Sequence, residues 1–587
     1  MHIPTIRPAA MFAQFISLLA AASLSASEPA IQGYADFAQF ESQMESIGRS
    51  DLAELESLGR TLGGRPIYLL KIGAGQLDKK PAILIVGSVH PPHVLGSELA
   101  VRLARRLTEQ ADQGVRGMLD RVTFYIIPRP APDAMEALFQ SPFHARVRNQ
   151  RCVDDDGDGR VDEDGPDDMN ADGWITTLRV EDAAGEYLVH PKDNRVMIKA
   201  DAKQNERGRY SLYTEGLDDD EDEQLNEDPP GGVAFDRNFT FQYPYFGDAA
   251  GPNQVSEIES RAVADFAFTH PNIAVIFAFA LQDNLMHPWK VDASAEGQKL
   301  KTSLMADDAS HYQRVAEQYR EAIGRKDAPE PESGEGSFRH WAYFHFGRWS
   351  FAARGWSIPK TEQAKKEQGA EAKETVSEKS EETGKEKPLP SGPSSDTRGS
   401  EDLNALRWFK KHGIDGFVAW KPIDHPRFRG RKTELGGFKP FMRLNPPAEE
   451  LDSLAEQHGR FLRMLAADLP RLSIGQAEAE PRGGGIWRIV VAVANDGALP
   501  TMPKIGQING QPHPLQIELT LPDGVALITG QARVRLDPLP GGGGRAEQSW
   551  LVRVPEGGPK ALSVRVWGPS VGAAEKQVVL KRSRKKS

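Results

Sequence analysis

Cysteine is almost absent from this 587-residue chain, Cys152 being the only one. No disulfide can form within the chain, and no zinc site built on several thiolates can exist. Positive charge is also scarce: 72 Lys and Arg against 83 Asp and Glu leave a net charge of −11. That balance speaks against sequence-independent nucleic-acid binding, which needs basic side chains to neutralise phosphates. Long apolar runs are missing too. The stretch Met11–Ala22 is interrupted by Gln14 and Ser17 and falls short of the ~20 residues a membrane-spanning helix needs. With Arg7 before it and the small residues Ser23–Ser27 after it, it has the layout of a secretory signal peptide, 1–27. The expectation is an exported protein, periplasmic or extracellular, with no transmembrane anchor after cleavage. Its oligomeric state is left open.

What is present is enough for several domains. Residues 36–60 carry apolar positions at helical spacing (Phe37, Phe40, Met44, Ile47, Leu52, Leu55, Leu58), which predicts one helix. Ile67–Ile72, Ala82–Val86, Val122–Ile127 and Ile273–Phe279 read as buried strands, with helices over 97–107 and 257–268. Strand and helix alternate, so the class is α/β. Between 154 and 232 the chain turns acidic and strand signals thin out. Residues 360–402 are a Lys/Glu/Ser/Pro tract that cannot bury a core and reads as a disordered linker. Apolar patterns resume over 403–409, 416–420 and 452–467. After Pro470, short alternating runs such as Ile486–Val493 and Leu562–Trp567 are parted by Gly and Pro, which predicts a β-sandwich over 471–587 with a basic tail.

Ordered landmarks in the α/β part resemble those of the zinc metallocarboxypeptidases of the carboxypeptidase A/B type. They are Leu58–Ile67, Gly87-Ser-Val-His90, Pro128–Asp133, Arg148-Asn-Gln-Arg151, Phe235-Asp-Arg-Asn-Phe239, Gly251–Arg261 and the strand Trp349–Trp356. The resemblance covers roughly 50–357 and, more loosely, 403–470. It implies a mixed eight-stranded sheet flanked by helices, a catalytic zinc, and a groove for a peptide or peptidoglycan-derived ligand. The carboxypeptidase-like domain would then run over 28–359 and 403–470, with 154–232 inserted.

At the positions that carry the family's chemistry, the residues depart from its pattern. The first metal motif, HxxE in the family, reads His90-Pro-Pro-His93. The second histidine should follow Ile273–Phe279, where Ala280 stands, and His287 matches a position several residues further on. Arg354 occupies the place of the catalytic Glu. It cannot accept a proton from water, and its charge ~4 Å from a dication would cost about 8 kcal/mol at an effective dielectric of ~20. Arg148, Arg151 and the pair Asp236-Arg237 match the family's substrate-binding positions. Each arginine reads equally well as a structural ion pair.

Three acidic segments share a spacing. Asp154, Asp156, Asp158 and Asp162 take positions 1, 3, 5 and 9 of an EF-hand-like loop; Asp168, Asn170 and Asp172 repeat positions 1, 3 and 5; Asp218, Asp220, Asp222 and Asn226 repeat the full set. Position 8 is apolar each time (Val161, Ile175, Leu225), and the bidentate Glu of position 12 is missing. Alternate acidic side chains in such a loop converge on one cation, so calcium is the expected ligand of the first two loops, while the third reads equally well as a solvated acidic surface run. The leading expectation is an exported family member with a degenerate zinc site and a calcium-braced peptide groove. The alternatives are an active zinc carboxypeptidase built on His90 and His93, and an adhesion or scaffold protein acting through the β-sandwich.

Overall fold

The computed structural model describes residues 31–109, 112–155, 157–295, 297–332, 334–361 and 398–581. The expected signal peptide, most of the low-complexity tract, the basic tail beyond 581 and Asp156 lie outside these residues.

Strands β1 (Ala53–Arg60), β2 (Pro66–Ile72), β3 (Ala82–Val86) and β4 (Thr123–Ile127) come first along the chain. The residues expected to extend the first helix as far as 60 instead form β1; the helix ends at Gly48. After the turn at Ser50, Ala53 to Ser57 pair antiparallel with β2, so the leucines that suggested a helix face lie on a half-exposed edge strand. Next come β5 (Thr177–Glu181), β6 (Tyr187–Val189), β7 (Met197–Lys199), β8 (Tyr210–Thr214), β9 (Ile273–Phe279) and β10 (Trp349–Ala353). The main sheet has the order β1-β2-β4-β3-β9-β10. β4, β3, β9 and β10 run parallel to one another, while β2 pairs antiparallel with both β1 and β4. Among the described residues this sheet has six strands, which corrects the expected eight.

Alternation in the buried strands separates two apolar layers. Ile83 and Ile85 face the helices Leu95–Thr108, Ala306–Ile323 and Leu451–Asp468, while Leu84 and Val86 face Ile258–Thr269 and Phe338–Phe344. Burial on both faces explains why these strands are continuously apolar.

The acidic insertion is not strand-poor. Strands β5–β8 join β11 (Phe417–Pro422) and β12 (Thr433–Phe438) in a second sheet, ordered β11-β12-β5-β8-β6-β7. Arg179 of β5 and Glu434 of β12, both largely buried, pair at 3.0 Å and lock that register. Beyond Pro470 two four-stranded antiparallel sheets share one core, with Trp487, Ile489, Val491 and Val493 buried from one and Ile517, Val564 and Val566 from the other. No helix among the described residues is long and apolar enough to cross a membrane.

Candidate functional site: a cleft at the strand ends

Past the end of β3 the chain makes a tight loop. A Cβ on Gly87 would lie 2.4 Å from the Pro128 carbonyl oxygen and one on Gly96 2.6 Å from the Ser88 nitrogen, so both positions require glycine. Ser88, with φ +35°, donates from its hydroxyl to the His93 carbonyl at 2.7 Å and accepts from the Ser97 N–H at 2.6 Å. Asn445 clamps the outer side, accepting from the Leu95 N–H and donating to the Pro92 carbonyl, both at 2.9 Å.

This loop presents two imidazoles. His90 lines a cavity of about 910 Å³. His93 is fully buried, and neither of its nitrogens makes a well-formed hydrogen bond. Burial and the nearby Arg354 charge lower His90 to about 4 and His93 to about 3, so both are neutral at pH 7.

The adjoining strand ends complete the floor. Ala280 is fully buried and its N–H donates to the Ala353 carbonyl at 3.0 Å. The buried Asp283 carboxylate accepts from the N–H groups of Leu285, Met286 and Arg354, fastening the exits of β9 and β10 together. Arg354 therefore leaves β10 with a fixed backbone and its side chain in the cavity. Burial lowers its pKa, against the raising influence of Glu332, Asp283 and Glu401.

The other cations of the cavity are committed. Lys439 pairs with Asp415 at 2.7 Å, Lys360 with Asp327 at 3.8 Å, and Arg443 with Asp402. Among the described residues Arg354 makes no ion pair.

Zinc does not fit this donor set. None of the groups of three His, Cys, Asp or Glu ligand atoms lying within 4.8 Å of one another among the described residues includes His90 or His93. A catalytic zinc needs three such ligands, and here the nearest charge is a guanidinium. His287 offers no rescue, since its Nε2 faces the Ala328 carbonyl at 3.2 Å.

The expected substrate-binding residues do not line the cavity. Arg148 pairs with Asp155 and Asp248, and Arg151 donates from Nε to Glu257 at 3.0 Å. Arg237 donates to the Asp248 carbonyl at 2.9 Å. Asp236 is buried, accepts from the Phe338 N–H at 2.8 Å, and is pushed up to about 7 by desolvation.

The acidic loops fold alike. Positions 4 and 6 of each take left-handed backbone: Gly157 and Gly159, Ala171 and Gly173, Glu221 and Glu223. Glu223 does so at φ +75° where the other two loops have glycine. Asp168 accepts from the N–H groups of Asp172 and Gly173, and Asp218 from those of Asp222 and Glu223. Asp154 accepts from Gly157 and Gly159, and Asp162 from Gly231. The first and third loops meet at a bridge between Asp164 and Asp228. The middle loop stands apart, its Met169 and Thr176 N–H groups held by the buried Glu215. Sequence reasoning passed over Glu163, Asp164, Glu227 and Asp228. The signal was available, because Asp162-Glu163-Asp164 and Asn226-Glu227-Asp228 follow the two loops at the same offset.

A family model described as zinc carboxypeptidase matches residues 41–367. The chain belongs to that family, whose usual metal is zinc. Residues 471–579 match a second model, described as a domain of unknown function (DUF8731). Carboxypeptidase SOL1 of Arabidopsis thaliana is 27% identical over 108 residues, 17% of this chain and 22% of that protein. Carboxypeptidase A4 of Mus musculus is 30% identical over 96 residues, 16% of this chain and 23% of that protein. The chain thus spans less than a quarter of the length of these relatives. Among solved structures, the metallo-carboxypeptidase from Burkholderia cenocepacia aligns over 54% of this chain and 59% of its own at 14% identity, with a TM-score of 0.30. None of these likenesses bears on calcium.

Proposed function

We propose that this chain is an exported, catalytically degenerate member of the zinc carboxypeptidase family that holds the free carboxylate end of a peptide, or of cell-wall peptide material, in the cleft between His90 and Arg354. The observation that carries this reading is the Arg354 guanidinium, which makes no ion pair among the described residues and is set in a cavity whose other cations are already neutralised. An Arg in such a place forms bidentate, charge-assisted bonds with a carboxylate. The neutral imidazole of His90 lines the same cavity and adds no opposing charge. Glu332 and Glu401, also on the cavity wall, would favour a ligand bearing an amino group or a basic side chain next to its carboxylate. Hydrolysis by the family's route lacks both a third metal ligand at Ala280 and a base at Arg354.

Calorimetric titration with a peptide and its C-terminally amidated twin tests the proposal. The free acid should bind, the amide at least tenfold more weakly, and Arg354→Gln should erase the difference. Elemental analysis after dialysis should find no stoichiometric zinc. Chelator-sensitive release of C-terminal residues by the unmodified chain, with zinc lost in His90→Ala, would overturn the reading in favour of an active enzyme.

A further inference from the structure

The two acidic loops that meet at Asp164 and Asp228 are offset by 64 positions in sequence and related in detail in space. Asp162 and Asn226, each at position 9, are both left-handed, at φ +58° and +55°. Asn226 donates its N–H to Asp164 at 2.9 Å, and Asp155 donates its N–H to Asp228 at 3.3 Å, so each loop caps a carboxylate of the other. Three sets of carboxylate oxygens lie within 4.8 Å of one another here: Asp164, Asp220 and Glu227; Asp158, Glu163 and Asp220; and Asp218, Asp220 and Asp222. Asp220 belongs to all three.

A crowd of surface carboxylates is not a site. What distinguishes this one is that its central groups each bury a carboxylate oxygen that accepts no hydrogen bond among the described residues. Asp164 is 0% exposed and its Oδ1 accepts no hydrogen bond; Asp228 is 1% exposed and its Oδ2 accepts none. Both side-chain oxygens of Glu163, and both of Glu227, are buried and equally bare. Buried polar atoms are ordinarily paired. Few cations face these oxygens among the described residues. Arg427 reaches Asp218 at 3.3 Å, Arg160 approaches Asp158 at 3.9 Å, and Arg148 is shared between Asp155 and Asp248.

We propose that loops 154–164 and 218–228 close face to face on calcium, with Asp164, Asp220 and Glu227 as the central ligands and Asp220 shared with the flanking sets Asp158–Glu163 and Asp218–Asp222. The donors are all carboxylate oxygens, with no His or Cys among them, which selects a hard cation. Ca–O distances of 2.3–2.6 Å let one ion touch oxygens up to ~5 Å apart, whereas magnesium at 2.0–2.1 Å demands a tighter octahedron. The middle loop, 168–176, forms no such set among the described residues and lies outside the proposal. The inference is independent of the cleft.

The test is calorimetric titration of the full, chelator-stripped chain with calcium chloride, together with its thermal midpoint with and without the ion. Calcium should bind with a dissociation constant of ~10⁻⁴ M or below and raise the midpoint by mass action. Asp220→Asn and Asp164→Asn should each weaken binding at least tenfold, whereas Asp168→Asn should leave it within twofold of the parent. In chelator, Asp220→Asn should melt no lower than the parent, because it removes one charge from a repelling cluster; this separates ligand loss from misfolding. No calcium response in the parent, an undiminished response in Asp220→Asn, or magnesium acting as strongly as calcium at equal concentration would each overturn the assignment.

Discussion

Asp236 shows how a family position can keep its place and change its meaning. Its carboxyl is 8% exposed, accepts the Phe338 N–H at 2.8 Å and lies near the buried Arg339. Desolvation outweighs both influences and pushes its pKa up to about 7. An acid raised in the folded state stabilises less as pH climbs: the penalty begins above the unfolded value of ~3.9 and is complete once the pH passes about 7. Between pH 5 and 8 this one group should remove about 2–3 kcal/mol of stability. Asp236→Asn keeps an acceptor for Phe338 and abolishes the titration. Urea unfolding at the two pH values should therefore show the variant gaining on the parent by that amount at pH 8, and a constant difference would sink the assignment. The same residue illustrates what spacing alone conveys. Its place in Phe235-Asp-Arg-Asn-Phe239 was legible; that it turns from the cleft toward the Phe338 helix was not. The choice of partner for Arg148 and Arg151 was equally hidden, because Asp248 and Glu257 lie about a hundred residues away in sequence.

Among elements, those legible in sequence are the ones buried on both faces. Ala82–Val86 and Ile273–Phe279 are strands with the boundaries their apolar runs suggested. β1 was misread because Leu52, Leu55 and Leu58 happen to repeat every three residues, although Leu52 precedes the strand and Leu55 and Leu58 pack against different apolar cores. β5 to β8 were missed because they are short and only partly buried, and because β5, which anchors them, finds its partner in β12 more than two hundred residues on. The loop that bears His90 depends on an equally distant clamp. Asn445, buried at 7% exposure, satisfies Leu95 N–H, Pro92 O and Phe441 O. Asn445→Ala leaves these groups bare inside the protein, at a cost of roughly 3 kcal/mol. Hydrogen exchange should quicken over 88–97 and carboxylate binding at Arg354 should weaken, while the helix Phe37–Gly48 keeps its protection. Unchanged exchange in the loop would show that Asn445 does not hold it.

At the scale of the whole molecule, the C-terminal sheets have an apolar core of their own, while Leu499 and Ile505, from beyond Pro470, pack into a core of the α/β body. A polar, specific contact adds to this apolar one. Asp308, at the start of the helix Ala306–Ile323, is 3% exposed and accepts the Lys504 N–H at 2.8 Å and the Tyr343 hydroxyl at 2.7 Å. Lys504 opens the short helix Lys504–Asn509, at whose far end Asn509 donates to the Phe344 carbonyl at 2.6 Å. A carboxylate is thus held between the N–H of Lys504, from beyond Pro470, and a phenol of its own α/β body, where charge-assisted bonds are strong. Removing it strands both donors at a buried contact, a loss of roughly 3 kcal/mol shared between the docking of Lys504 and the α/β core, to which Tyr343 belongs. Asp308→Ala should therefore split the thermal transition in two, one for each core, and expose the connection near Pro470 to limited proteolysis. Asp308→Asn, which retains one acceptor, should do so only partly. A single transition with an unchanged midpoint in Asp308→Ala would mean that the apolar contacts around Ile505 hold the two bodies together without it.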